Sequence, residues 1–129
     1  MQLLYIAIGG ALGAVCRFLV SNAINQRFAS AGSFPIGTLA VNGIGSFLIG
    51  SLFVILHHYF SEQNTFDHLR SLIIIGMLGG FTTFSTFSLE TLQLIEAGLW
   101  SKAMLNIILS VSVCIVAAAA GVAAARLAT

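Results

Sequence analysis

Four stretches of this chain are apolar enough, for long enough, to cross a lipid bilayer, and little lies between them. About 20 consecutive apolar residues span the hydrocarbon core as a helix. Runs over residues 3–23, 36–60, 69–97 and 102–127 meet that length. The connections "NQRFASAGS", "SEQNTFDHLR" and "AGLWSK" hold most of the polar residues. Charged residues make up 7% of the chain and mean hydropathy is +1.03; a soluble domain carries about 25% charge. The expected fold class is therefore an all-α membrane protein, one four-span domain over residues 1–129 with the lipid bilayer as its solvent. The opening "MQLLYIAIGG" lacks the positive flank of a cleaved signal and reads as the start of a retained span.

The formal charge of +1 leaves no basic patch, so no nucleic acid is expected as a partner. Cys16 and Cys114 lie deep in apolar runs, with no second Cys or His at ligand spacing, which argues against a disulfide or a zinc site. Orientation in a membrane follows Lys/Arg excess in short loops. One side here carries Arg70 and Arg126, the other Arg27 and Lys102, with Arg17 in the first span tending the same way. So even a balance suits a chain inserted in both orientations; a fixed orientation decided by other features is the alternative.

Small residues recur four apart in the spans: Gly9 and Gly13, Ser46 and Gly50, Gly76 and Gly80. Such pairs let helix backbones approach closely in lipid. The third span is different in kind. Its centre reads "GGFTTFSTFSLE", Gly79 to Glu90, with Phe81, Phe84 and Phe87 every third residue and hydroxyls between them. Gly and Thr are poor helix formers at the centre of a span. Either the helix breaks near Gly79–Thr83, or it runs on and packs tightly against a neighbour. A break at membrane depth needs protein or a water-filled cavity to receive its polar groups, and its freed carbonyls suit a small cation.

Beyond that point Phe84 and Phe87 share a helix face, and Thr83, Thr86 and Glu90 make an adjacent polar line. Ring edges are positive and attract an anion weakly; hydroxyls beside them could replace part of an anion's water shell. Span two carries a matching stripe, Thr38, Asn42 and Ser46, on one face, and span four carries Asn106 and Ser110 with Ser112 nearby. The Asn42 amide can donate two hydrogen bonds, to an anion or to a neighbouring helix. Arg17, inside span one, must snorkel, pair or face an aqueous vestibule, because a charge at the centre of a span costs about 2.5–3.5 kcal/mol. Glu90 is a carboxylate inside a span, while His57, His58 and His68 lie at the membrane border and read as solvated.

With "GGALGAVCRF", "FPIGTLAVNGIGSFLIG" and "GMLGGFTTFSTFSLE" in place, nearly the whole chain resembles the CrcB/Fluc family of fluoride channels. The resemblance implies a dual-topology antiparallel homodimer in the bacterial inner membrane, a second copy of the chain being the partner. It implies two pores that export fluoride and so lower its cytoplasmic concentration. It also implies a structural sodium ion at the dimer centre, held by main-chain carbonyls that fall here at Gly79 and Thr82. The family's pore phenylalanines fall at Phe84 and Phe87, its pore asparagine at Asn42, its vestibule arginine at Arg17, and its polar track at Thr83, Ser85, Thr86 and Glu90. From the stripes above, Thr38 and Ser110 join the pore. Phe81 is assigned to packing.

Spacing alone does not separate fluoride from another small anion. A small dual-topology multidrug/proton antiporter would need a membrane-embedded carboxylate, and span one has only Arg17. A non-transporting scaffold would not need the polar content of spans two and three. No nucleophile–base pair or metal-ligand set points to an enzyme.

Overall fold

The computed structural model describes residues 1–28, 32–60 and 63–129. The described residues form long helices and no strand: α1 (Gln2–Arg27), α2 (Ile36–Tyr59), α3 (Gln63–Leu69), a π-helical segment (Arg70–Leu78), α4 (Gly79–Phe81), α5 (Phe84–Glu96) and α6 (Trp100–Ala128). Elements α3 to α5 succeed one another as the third of four candidate membrane spans. The expected connection "SEQNTFDHLR" is thus helical from Gln63 onward; its Ser61 and Glu62, and Ala29, Ser30 and Ala31 of the first connection, lie outside the described residues. A π-helix accommodates an extra residue per turn and leaves i→i+5 bonds. Nothing in the apolar pattern of "RSLIIIGML" distinguishes it from an α-helix.

Boundaries follow local chemistry. Pro35 sits just before the first helical residue of α2, where its missing N–H costs nothing. The turn from α5 to α6 is a Schellman motif: Leu99 N donates to Leu94 O at 2.8 Å and Gly98 N to Ile95 O at 2.9 Å. Gly98 has φ +73°, and no atom would meet a Cβ there within 4 Å, so backbone conformation rather than space calls for glycine.

Packing is by close backbone approach, since lipid supplies no hydrophobic drive between helices. The π segment lies along α1 and α6 along α2. A Cβ on Gly9 would strike the Leu72 carbonyl and one on Gly13 that of Met77. One on Gly76 would stand 2.8 Å from Ile6 O, and one on Gly80 2.6 Å from Gly10 O. On the other side, Gly50 abuts the Ala118 backbone and Gly121 that of Phe47. The Ser46/Gly50 pair therefore divides: Gly50 packs, and Ser46 lines a groove. At one end of the bundle the His68 ring lies 5.0 Å from Tyr5 and is half-buried, a departure from the solvated border residue expected.

Candidate functional site

The third span is broken, and the break falls on threonines, not glycines. Thr82 (φ −80°, ψ 156°) and Thr83 (φ −151°, ψ 116°) are extended, while Gly79 is helical. The break is held from outside by one side chain. Asn42 of α2 accepts from Thr83 N through Oδ1 at 2.7 Å and donates from Nδ2 to Thr83 O at 3.0 Å. Its carboxamide thus pairs with both main-chain groups of Thr83, as a neighbouring strand would. The Thr83 side chain caps α5, its Oγ1 accepting from Thr86 N at 3.2 Å. Below, the Thr82 hydroxyl donates back to Leu78 O at 3.0 Å, and its methyl is wedged against Gly45, where a Cβ would collide with it.

The break leaves the carbonyls of Gly79, Gly80, Phe81 and Thr82 without their helical donors, two of them through these bonds. In a continuous helix Thr83 N would serve Gly79 O, and Thr86 N would serve Thr82 O. Here the first N–H goes to Asn42 and the second to the Thr83 hydroxyl. Gly79 is exposed and Thr82 half-buried. Expected at Gly79–Thr83, the interruption lies at the last two positions of that interval, and Gly79 stays in the helix before it, on an exposed face.

Three cavities follow the polar residues. An open groove of about 380 Å³ is lined by Asn42, Ser46, Thr83, Phe84, Phe87 and Ser110, among others. The Phe84 and Phe87 rings are 5.4 Å apart and tilted by 51°, and Phe84 is 78% exposed along the groove. Phe81, by contrast, is buried at 8%. A second cavity of about 230 Å³ lies behind Thr83 and brings it together with Arg17, Thr38 and Thr86. Thr83 borders both. Its Oγ1 donates to Thr86 Oγ1 at 3.0 Å and lies 3.3 Å from Ser85 Oγ. A third cavity of about 340 Å³ opens beside Asn25, Ser33, Glu90 and Gln93. Thr38 Oγ1 donates to Glu90 Oε1 at 2.8 Å, and Glu90 Oε2 is buried without a partner. Glu90 and Thr38 therefore stand between the third cavity and the second.

The expected residues fall into three neighbouring sets: Gly79 and Thr82 at the break; Asn42, Thr83, Phe84, Phe87 and Ser110 along the groove; Arg17, Thr38, Thr86 and Glu90 behind it. Ser85 is exposed beside Thr83. Sequence reasoning missed Thr91. It is buried, its Oγ1 donates to Phe87 O at 2.7 Å, and it accepts from Asn106 Nδ2 at 2.9 Å. The only signal was that Thr91 lies one helical turn after Phe87. Among the described residues no group of three or more His, Cys, Asp and Glu could hold a metal ion.

Residues 4–122 match the family described as "CrcB-like protein, Camphor Resistance (CrcB)". The chain is 46% identical over 127 residues to the fluoride-specific ion channel FluC of Magnetococcus marinus, covering 98% of this chain and 99% of that one. It is 48% identical over 116 residues to FluC of Shewanella frigidimarina (88% and 87% covered) and 47% over 119 residues to FluC of a Sulfurovum species (92% and 89%).

Proposed function

The chain belongs to the CrcB-like family, and from that premise we propose that it is a fluoride-specific channel of the cell membrane, built from two copies in opposite orientations around a structural sodium ion. It is a passive conductor, not an enzyme, and lets fluoride leave the cell down its gradient.

The observation that carries this reading is the clamped break at Thr82–Thr83. A helix ends with partial negative charge at its carbonyl end and begins with partial positive charge at its N–H end. The break sets the carbonyl end of α4 directly against the N–H end of α5. One side favours a cation and the other an anion. The released carbonyls of Gly79 and Thr82 fit sodium in hardness, as unwound carbonyls do in other interrupted spans. One chain offers two of them, half of a cage, and an inverted copy would supply the other half. Sodium there would supply a fixed positive charge; orientation of the carbonyls is the work of Asn42.

Fluoride is small and strongly hydrated, so a path for it needs dense donors in a narrow channel. The groove offers the second Asn42 N–H and the edges of Phe84 and Phe87, with the Ser110 hydroxyl on its wall. Behind it, the hydroxyls of Thr83, Thr86 and Thr38 continue towards Glu90, with Arg17 supplying positive potential. In one chain the groove is open along its length, and its polar lining would meet lipid. A second copy laid over it would close it.

The test is fluoride efflux from liposomes holding the purified protein. Rapid efflux of fluoride but not of chloride is expected, with a protein mass corresponding to two chains. Replacing sodium by a large organic cation should weaken the pair. Equal efflux of both anions, or none, would refute the channel assignment; a stable pair indifferent to sodium would refute the cage.

A further inference from the structure

The groove's serine is the end of a buried hydrogen-bond chain whose direction matters. Ser110 Oγ donates to Asn106 Oδ1 at 3.5 Å, Asn106 Nδ2 to Thr91 Oγ1 at 2.9 Å, and Thr91 Oγ1 to Phe87 O at 2.7 Å. Every proton in this chain points away from the groove. Ser110 therefore shows the groove its lone pairs, which repel an anion.

We propose that Asn106 is the positioning residue that decides whether Ser110 presents an acceptor or a donor to the groove. The two ends of a carboxamide have nearly the same shape and opposite hydrogen-bonding sense. Turning the Asn106 amide by half a turn keeps its separations from Thr91 and Ser110. Nδ2 then donates to Ser110 Oγ, and Oδ1 accepts the Thr91 proton. Phe87 O loses that side-chain bond but keeps the main-chain bond from Thr91 N within α5. The Ser110 proton is released and can turn into the groove.

Without an anion the turned state is one side-chain hydrogen bond short, because the Ser110 proton no longer has Asn106 Oδ1 to accept it. With an anion in the groove the count is restored, and the new bond is charge-assisted and the stronger for it. A small anion thus selects the turned state by differential binding. The bond surrendered is the longest in the chain, at the limit of a useful hydrogen bond. Asn106 is 1% exposed, so no solvent competes for its amide. Ser110 alone, fixed in either sense, could not both satisfy its neighbours in an empty groove and donate to an ion in a full one.

This inference rests on the fluoride reading, and the experiment separates the two. Fluoride efflux is measured for wild type, Asn106→Leu, Ser110→Ala and the double variant, each first shown to elute as the wild-type assembly. Each single change should slow efflux about tenfold or more, and the double variant should be no slower than Ser110→Ala. Independently, the side-chain amide of Asn106 in protein carrying isotope-labelled asparagine should shift when sodium fluoride replaces sodium gluconate, and should not shift in Ser110→Ala. The amide measurement needs no variant at Asn106 and stands if Asn106→Leu does not assemble. Losses that multiply in the double variant, or an amide that ignores fluoride, would overturn the role of Asn106 while leaving the channel intact. A wild type that conducts no fluoride would overturn the parent reading and this inference with it.

Discussion

Replacing Asn42 by leucine removes both hydrogen bonds that keep Thr83 out of the helix. The bonds, 2.7 Å and 3.0 Å, serve main-chain groups of Thr83, a residue only 8% exposed. A buried donor or acceptor left without its partner costs about 1–3 kcal/mol, so the broken form loses about 2–6 kcal/mol. The continuous helix does not use Asn42 and loses nothing; it gains the Thr83 N–H for Gly79 O. The balance between broken and closed forms therefore moves by roughly thirty-fold to ten-thousand-fold, at about 1.4 kcal/mol per factor of ten. Closing the helix buries the Gly79 carbonyl again and turns Phe84 and Phe87 away from their present bearing. Fluoride efflux should fall in proportion to the broken form lost, and the sodium dependence of the assembly should weaken with it. Asn42→Asp is the companion variant. It keeps an acceptor for Thr83 N but puts an anionic oxygen against Thr83 O, and a negative charge in the groove, so it should assemble poorly or conduct nothing. An Asn42→Leu protein with wild-type efflux and wild-type response to sodium would refute the clamp.

Gly76→Ala should lower the thermal midpoint, because its Cβ would stand 2.8 Å from Ile6 O and overpacking costs about 1–3 kcal/mol; Gly79→Ala, whose Cβ meets nothing nearer than Ile74 O at 3.8 Å, should fold but lose the sodium response, and equal destabilisation of both would count against the cage. Phe84→Ile should slow efflux with little change in stability, since its ring is 78% exposed, whereas Phe81→Ile should unsettle the fold, since Phe81 is 8% exposed; the reverse ranking would remove the ring edges from the ion path. A reporter fused after Thr129 should be read on both sides of the membrane, and lysines added to the segment 61–70 should abolish activity unless a copy biased the other way is co-expressed. Full activity with signal from one side only would end the antiparallel pair.

The four spans were legible because bilayer thickness leaves one solution for long apolar runs, and that solution does not depend on partners. The glycine pairs were legible for a similar reason: small residues four apart have few uses in lipid. The register of the break was not. Gly79 and Gly80 invite an interruption by propensity, yet both stay helical, and the extended residues are Thr82 and Thr83. What decides is Asn42, forty-one positions away, which competes for Thr83 N more effectively than Gly79 O does. No local scale contains that competition. The same limit hid Thr91, whose significance comes from Asn106 lying across from it, and the apolar pattern of Arg70–Leu78 carried no mark of its π turns.

The placement of Asn42 also bears on how one interruption, on the proposed reading, would serve ions of opposite sign without a formal charge on the residues at the break. A carboxamide is a neutral side chain that can donate to a carbonyl and accept from an N–H on the same residue at once. By taking both groups of Thr83 it leaves unpaired carbonyls only on the Gly79–Thr82 side, where the α4 dipole is negative. On the other side the Thr83 hydroxyl caps Thr86 N and leaves the N–H groups of Phe84 and Ser85, at the positive end of α5, without helical partners. A carboxylate in place of Asn42 would spoil the anion side and an ammonium the cation side. Leucine would let the helix close and abolish both. The requirement is for a group that donates once and accepts once in a fixed geometry, and that is what the two bonds to Thr83 provide.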